Sequence, residues 1–505
     1  MMYGTHDAIL VYRSRSEKNL EDNTLRFLSS GNADKVLIYY DILGTQAHCI
    51  MLHEIGILTV SEVKQILRVL VKLEGNPALI DLSTFEDVHE SIEAFVIDQT
   101  NAEIGGKVHT ARSRNDQVVL DMRLKMRDDL NNVSSYLLDL IHSFLRRASE
   151  NVNTVILFYT HSQQAQIGTF SHLLLSYVET LSRDLDRLNE VYDRVNTCPL
   201  GGGAIGGSSI RINRDRTATL LGFRGLVTNS IDATSSRDAM CEYVSSLGIL
   251  MITLSRIAAD LILWSTSEFG YIDISDENSS TSSAMPQKKN PDPLEIIRGK
   301  SGSLLGNLNC VFSIVKSLPT GYSRDLQEIK PALWEASNSV QSSLQILKVV
   351  IDSLYVHRER MEQMALKSYA ISIDIAEQLV VKNRIPFRSA HKIVGALVGK
   401  AARSGNMPLS GLKKEQIKEV LLRLNSDLKI EDMMQLIANF TPKVSVSLRM
   451  SEGSPNPKYQ QLMIDGLNRK ASAIDKTLSD RKRRISESLD YLRREVKNYL
   501  PDLDL

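Results

Sequence analysis

The chain has 505 residues, with 60 basic and 60 acidic side chains and a formal net charge of zero. A neutral balance gives no sign of nucleic acid or a membrane as partner, and the length exceeds one compact core, so two or three domains are expected. Cys49, Cys198, Cys241 and Cys310 follow no metal-ligand spacing and read as reduced, mostly packed thiols of a cytoplasmic protein. The first nineteen residues, MMYGTHDAILVYRSRSEKN, hold no apolar run long enough for a secretory leader. Ser83 and Glu86 have capping-box spacing, so a helix is expected to open there, with Val88, Ile92 and Phe95 inward and His89 towards a site. Gly105-Gly106 and the charged segment 109–117 suggest a first boundary near 110. Leu181, Leu185, Leu188, Val191 and Val195 recur at helical steps, as do Ile474, Leu478, Ile485, Leu489, Leu492 and Val496. The run from Tyr243 to Trp264 is broken by Arg256 and Asp260, short of the roughly 20 clean apolar residues of a membrane span, and reads as a central bundle helix. Only Ile210–Ile212 and Lys443–Ser447 alternate like strands. The expected fold is mainly α, with helical domains at 1–112, 113–360 and 361–505, the middle one a long helix bundle carrying the loop 281–295.

Residues 201–206 spell GxGxxG, but an amphipathic helix and Pro199 precede them where a dinucleotide fold needs a strand. What remains is a turn whose backbone approaches something closely, such as a carboxylate or a neighbouring subunit. The basic cluster 481–484 lies among Asp475, Asp480, Glu487 and Asp490 and reads as a solvated helix face. The chemistry concentrates elsewhere. Residues 281–295, TSSAMPQKKNPDPLE, gather Ser282, Ser283, Lys288, Lys289, Asn290 and Glu295 between three prolines that exclude a continuous helix. Cations beside a hydroxyl can stabilise an alkoxide and a dianionic intermediate. In HTARSRNDQ, 109–117, the planar forks of Arg112 and Arg114 suit bidentate carboxylate recognition, with Asn115 able to complete it.

These segments resemble the argininosuccinate lyase branch of the fumarase and aspartase superfamily. The loop is similar to the superfamily's signature loop, and 109–117 resembles HTGRSRNDQ with Ala111 for Gly. Residues 86–93 are similar to EDxHxxxE, 160–166 to THxQxAQ, 199–204 to PLGxGA, 232–238 to DATSxRD, and 322–330 to YNxDLQExK. Phe27–Ser30 and Asp41–His48 resemble FxxS and DIxGSxAH. The resemblance runs from about residue 12 to about 455. It departs at Phe158, Ser162, Ile167, Thr281 and Ser323, and at Tyr12–Arg15, where the usual WGGRF is reduced; these bear on loop mobility and the seating of His161.

The resemblance implies reversible elimination of fumarate from argininosuccinate to give arginine, with no metal or organic cofactor indicated and small molecules as the ligands. Ser282 would be the base, acting as an alkoxide, with Lys288 and Asn290 stabilising the aci-carboxylate. His161, polarised by Glu295, would be the acid for the departing nitrogen. Ser30, His89, Arg114, Asn115, Thr160, Arg237, Tyr322, Gln327 and Lys330 would bind substrate. It also implies a homotetramer packed through central helices, each site drawing one block from each of three subunits. Adenylosuccinate lyase, or a silent crystallin-like paralogue, is the alternative; HTARSRNDQ argues against the first, and retention of Ser282, His161 and Lys288 against the second.

Overall fold

The computed structural model describes residues 20–503; Tyr12–Arg15 lie outside them. The chain is mainly α. The N-terminal part holds α1 (Ile38–Glu54), α2 (Val60–Gly75) and α3 (Val88–Gln99). Thr59 opens α2 through a reciprocal capping box with Glu62. The opening of α3 differs from the sequence expectation. Ser83 turns back onto Asp81, and the cap is Asp87, whose carboxylate accepts the Glu90 N–H at 2.9 Å, so the helix begins at Val88. Asp87 sits directly before the apolar pattern and so took the cap.

The 36-residue α4 (Arg114–Ser149) leads into a hairpin of β1 (Val155–Thr160) and β2 (Gln163–Thr169), then α5 (Phe170–Val195) and α6 (Asp238–Ser265). Leu181, Leu185, Leu188, Val191 and Val195 of α5 are all buried, as their spacing requires. Among the described residues, α6 alone is long and apolar enough to cross a membrane by composition. It packs inside the bundle, Tyr243 fully buried and Asp260 accepting the Tyr177 hydroxyl at 2.7 Å.

Three two-residue strands, β3 (Ile272–Asp273), β4 (Ser280–Thr281) and β5 (Lys289–Asn290), frame the loop before α7 (Asp292–Val315). After α8 (Ile329–Ser353), β6 (Tyr355–Val356) pairs antiparallel with β3. One continuous core joins the N-terminal helices to the bundle, and a second, of residues such as Ile375, Leu397, Ile417 and Ile437, forms a small unit. The last helix, α9 (Pro457–Tyr499), returns to the main core through Ile464, Leu467, Leu492 and Val496. Its basic cluster is engaged within the chain: Arg481 stacks on Tyr192 at 4.3 Å and Arg483 pairs with Asp480 and Glu487.

Both expected strands fail. Residues 210–212 are irregular, and Lys443–Ser447 falls inside the short helix Pro442–Ser447, where Pro442 and a Thr441 cap outweigh the Val-Ser alternation. The longest ladder among the described residues, β1–β2, was not foreseen. Its β-branched and aromatic run was present, but its tip is His-Ser, without a glycine to announce a turn.

Candidate active site

One end of the bundle gathers polar groups from four segments. Ser113 and Asp116 form the capping box that starts α4 and so fix the direction of Arg114 and Asn115. Asp116 also accepts the N–H groups of Gly201 and Gly203 at 2.9 and 2.8 Å, and Asn115 donates to the Ala204 carbonyl at 2.8 Å. The glycine-rich segment therefore wraps a helix start, and the carboxylate it approaches is Asp116. Gly201 and Gly203 have φ of +90° and +62°, and a Cβ on either would meet heavy atoms at 2.7 Å.

Arg114 donates to Asp87 at 2.8 Å, with Glu86 at 3.4 Å. Burial alone would raise the Asp87 carboxyl, but the charges of His89 and Arg114 hold it below the usual range. Glu86 also accepts from Arg324 at 2.8 Å, and Arg324 donates to the Leu28 carbonyl at 3.0 Å. That link brings 322–330 against the N-terminal segment. There the ammonium of Lys330, fully buried, bonds Asp34, also fully buried, and reaches Ser30 Oγ at 3.3 Å. Ser30 Oγ donates to Asp34 at 2.5 Å. Gln327 is buried, three residues before Lys330.

Arg237 is buried, with Nε and Nη2 unpartnered, and burial lowers its pKa to about 10. Two buried donors without acceptors suit an anion. Burial raises the neighbouring Tyr322 hydroxyl, against the pull of the Arg237 charge.

His89 lies deeper than the sequence suggested. It is buried, with Nδ1 3.0 Å from Asp41 and 3.3 Å from Asp121. These three are the metal-capable group among the described residues, their ligand atoms within 4.8 Å of one another. Burial, then the Asp41 charge, raises Asp121 well above the carboxylate range. Asp34, Asp41 and Asp121 face the cations Lys330 and Arg112.

The other predicted residues lie at the opposite end. Since α4 has 36 residues, it spans roughly 54 Å at 1.5 Å per residue. At its far end Arg146 pairs with Asp352 and β1 begins soon after. Thr160 and His161 are exposed at the hairpin tip rather than on a helix end. The loop 281–290 roots nearby, because β3 pairs with β6 just after α8 ends, and Tyr159 meets Tyr271 hydroxyl to hydroxyl at 3.2 Å.

Within the loop the two serines and the two lysines separate. Ser282 Oγ accepts the N–H groups of Ala284 and Met285 at 3.3 and 3.0 Å. Lys289 is spent on Asp276 and Asp273, at 2.8 and 3.2 Å, and these bonds raise its pKa. Lys288 is exposed and makes no ion pair among the described residues. Asn290 is half-buried in β5, and Glu295 is exposed on the first turn of α7.

Sequence reading missed the carboxylates that hold these groups: Asp34, Glu86, Asp87, Asp41 and Asp121. For Asp34 a signal existed, since it follows Ser30 by four residues, one helical turn on the same face.

A family model described as Lyase matches residues 18–306, and one described as Argininosuccinate lyase C-terminal matches 369–447. The argininosuccinate lyase of Nitrosopumilus maritimus (strain SCM1) is 44% identical over 486 residues, which cover 96% of this chain and 99% of that protein. The argininosuccinate lyase of Methanocaldococcus jannaschii is 36% identical over 488 residues, covering 96% and 99%. Among solved structures, EDDS lyase in complex with formate superposes with a TM-score of 0.84 at 28% identity, covering 96% of each chain. A class II fumarase from Schistosoma mansoni, with a TM-score of 0.68 at 16% identity over 81% of this chain and 90% of that one, shares the fold.

Proposed function

The chain belongs to the argininosuccinate lyase family and is a carbon–nitrogen lyase; we propose that it splits argininosuccinate reversibly into arginine and fumarate in the cytoplasm, the last step of arginine biosynthesis. The observation that carries the chemistry is the pair of backbone N–H groups aimed at Ser282 Oγ. The carbon beside a carboxylate is a very weak acid, and a serine hydroxyl is a weak base unless its anion is stabilised; fixed N–H dipoles and a free ammonium do that.

Ser282, as the alkoxide, takes the proton from that carbon. The electron pair moves onto the carboxylate, which becomes a doubly charged aci-carboxylate held by Lys288 and Asn290. Its return forms the fumarate double bond as the carbon–nitrogen bond breaks, and the departing guanidino nitrogen takes a proton from His161, polarised by Glu295. Arg114, Asn115, Thr160 and Arg237 serve the carboxylates. Ser30, Tyr322, Gln327 and Lys330 serve the distal amino-acid group, with His89 supporting them from beneath.

The two sets of groups lie at opposite ends of one bundle, so we read the site as composite, built in a homotetramer. Ile249 and Ile252 of α6, Leu305 and Phe312 of α7, and Ile346 and Val349 of α8 are each more than 40% exposed, a stripe on the central helices that suits self-association. Fumarate absorbance after adding argininosuccinate to the purified protein tests the reading. Turnover of adenylosuccinate instead, or of neither, would overturn it.

A further inference from the structure

The hairpin that presents His161 is under strain, and its base is clamped. Thr160 pairs with Gln163, so His161 and Ser162 alone make the turn, and both have positive φ, 54° and 57°. A two-residue turn with both residues left-handed favours Asn-Gly, and L side chains that lack those residues' compensations adopt it at a cost. Thr160, His161, Ser162, Gln163 and Gln164 are all exposed, so the tip has no packing of its own to set its direction. That direction comes from the residues just before it.

There the ladder is irregular. Phe158 faces Gln166 but Tyr159 faces Gln164, so Ala165 is the extra residue of a bulge, a feature that bends a strand and re-aims the side chains beyond it. The two residues at the bulge are held by different neighbours. The Phe158 ring lies on the bare backbone of Gly168: a Cβ there would come within 2.0, 2.1 and 2.7 Å of three ring atoms. The same ring sits 5.9 Å from His172 at the start of α5. Tyr159 meets the Tyr271 hydroxyl at 3.2 Å and packs edge-on against Phe269 at 5.6 Å. An aromatic laid over a cross-strand glycine pins register, because no other residue at the glycine position leaves room for the ring.

We propose that Phe158, seated on Gly168, is a positioning residue that holds the strained His161 turn in the orientation proton transfer requires. This rests on His161 being the acid. Phe158 touches no substrate in this reading and acts only through the turn; Thr160 at the base of that turn is one of four groups on the carboxylates, so the loss should appear mainly in kcat, with only a small change in substrate affinity.

The test compares Phe158→Gly, Phe158→Leu, Gly168→Ala, the double variant Phe158→Gly/Gly168→Ala, and His161→Asn, alone and combined with Phe158→Gly. A displacement of about 1 Å at a reacting group costs on the order of 10²-fold. Phe158→Gly is therefore expected to lose about 10- to 100-fold in kcat, with KM for argininosuccinate changed less than about threefold. Phe158→Leu, which still covers the glycine, should recover most of the rate. Gly168→Ala should lose activity through the clash, and the double variant should recover part of it. In the His161→Asn background Phe158→Gly should cost nothing further, because the residue it orients is already gone. If His161→Asn alone keeps the parent rate, the assignment of the acid fails and takes this inference with it. If His161→Asn is impaired while folded Phe158→Gly matches the parent, only the inference fails. Loss through KM, or additive losses in the combined variant, would also overturn it. Should Phe158→Gly prove unfolded by circular dichroism, Phe158→Ala and Phe158→Leu carry the same comparison.

Discussion

The Lys330–Asp34 pair separates stability from catalysis in one experiment. Both side chains are fully buried, and among the described residues Asp34 has no other cation bonded to it, only the Ser30 hydroxyl. Lys330→Met strands a carboxylate with one hydroxyl donor, and Asp34→Asn strands an ammonium. Leaving one member of a buried pair uncompensated costs about 3–5 kcal/mol, whereas replacing both members by neutral groups is often close to harmless. Independent losses would sum to about 6–10 kcal/mol. The expected result is the reverse: Asp34→Asn/Lys330→Met is more stable than either single variant. Urea unfolding at one fixed protein concentration reads this, since the stability of the proposed oligomer would depend on concentration. Activity should not follow if Lys330 is, as proposed, the anchor for the distal group of the substrate; the double variant should then be as slow as Lys330→Met. Additive destabilisation would show that each charge is satisfied independently, and recovered turnover would remove Lys330 from the site.

Ser282→Ala should lower kcat by at least about 10²- to 10⁴-fold with substrate binding nearly intact, and Ser283→Ala should be milder; the opposite ranking in steady-state kinetics would exchange their roles. His48, whose Nε2 lies 2.9 Å from the Thr110 carbonyl, is pushed down to about 3 by burial and then by the Arg112 charge. The unfolded imidazole titrates near 6.5, so below that pH the unfolded chain binds the extra proton. Stability is full above about 6.5 and falls between there and about 3, by roughly 2 kcal/mol at pH 5; His48→Gln should flatten that slope in urea titrations. Arg114→Gln and Ser282→Ala, each inactive, should partly restore activity when unfolded together and refolded. Hybrid tetramers no more active than the separate variants would place the whole site in one chain.

Legibility followed the physics of each signal. Helical periodicity is set by burial along one element, so the faces of α5 and α9 could be read directly. The hairpin could not, because a register is decided between strands, here by Phe158 meeting Gly168 ten residues away. At the site, the order of charged residues in 109–117 and 281–295 pointed to carboxylate chemistry, but which residues are free was decided by tertiary partners. Lys288 and Lys289 are indistinguishable as sequence; Asp273 and Asp276 take one and leave the other. His89 looked available on its helix and proved to be enclosed by Asp41 of α1 and Asp121 of α4.

The lengths of the helices constrain how such a site can be completed. Arg114, Arg237 and Lys330 stand at or near the starts of α4, α6 and α8, and the hairpin and loop root where α4, α6 and α8 end. No bending of a packed bundle closes roughly 50 Å. A second chain running antiparallel does close it, provided the two bundles overlap along nearly their whole length, so that the far end of one covers the start of the other. That overlap requires a contact face extending along the central helices rather than a patch at one end. The exposed apolar residues extend along α7 from Ile296 to Phe312 and along the later part of α6 from Ile249 to Leu263, with Ile346 and Val349 near the end of α8. Assembly and catalysis would then depend on the same surface, and a charge placed at Phe312 or Ile252 should lower activity in step with the loss of tetramer.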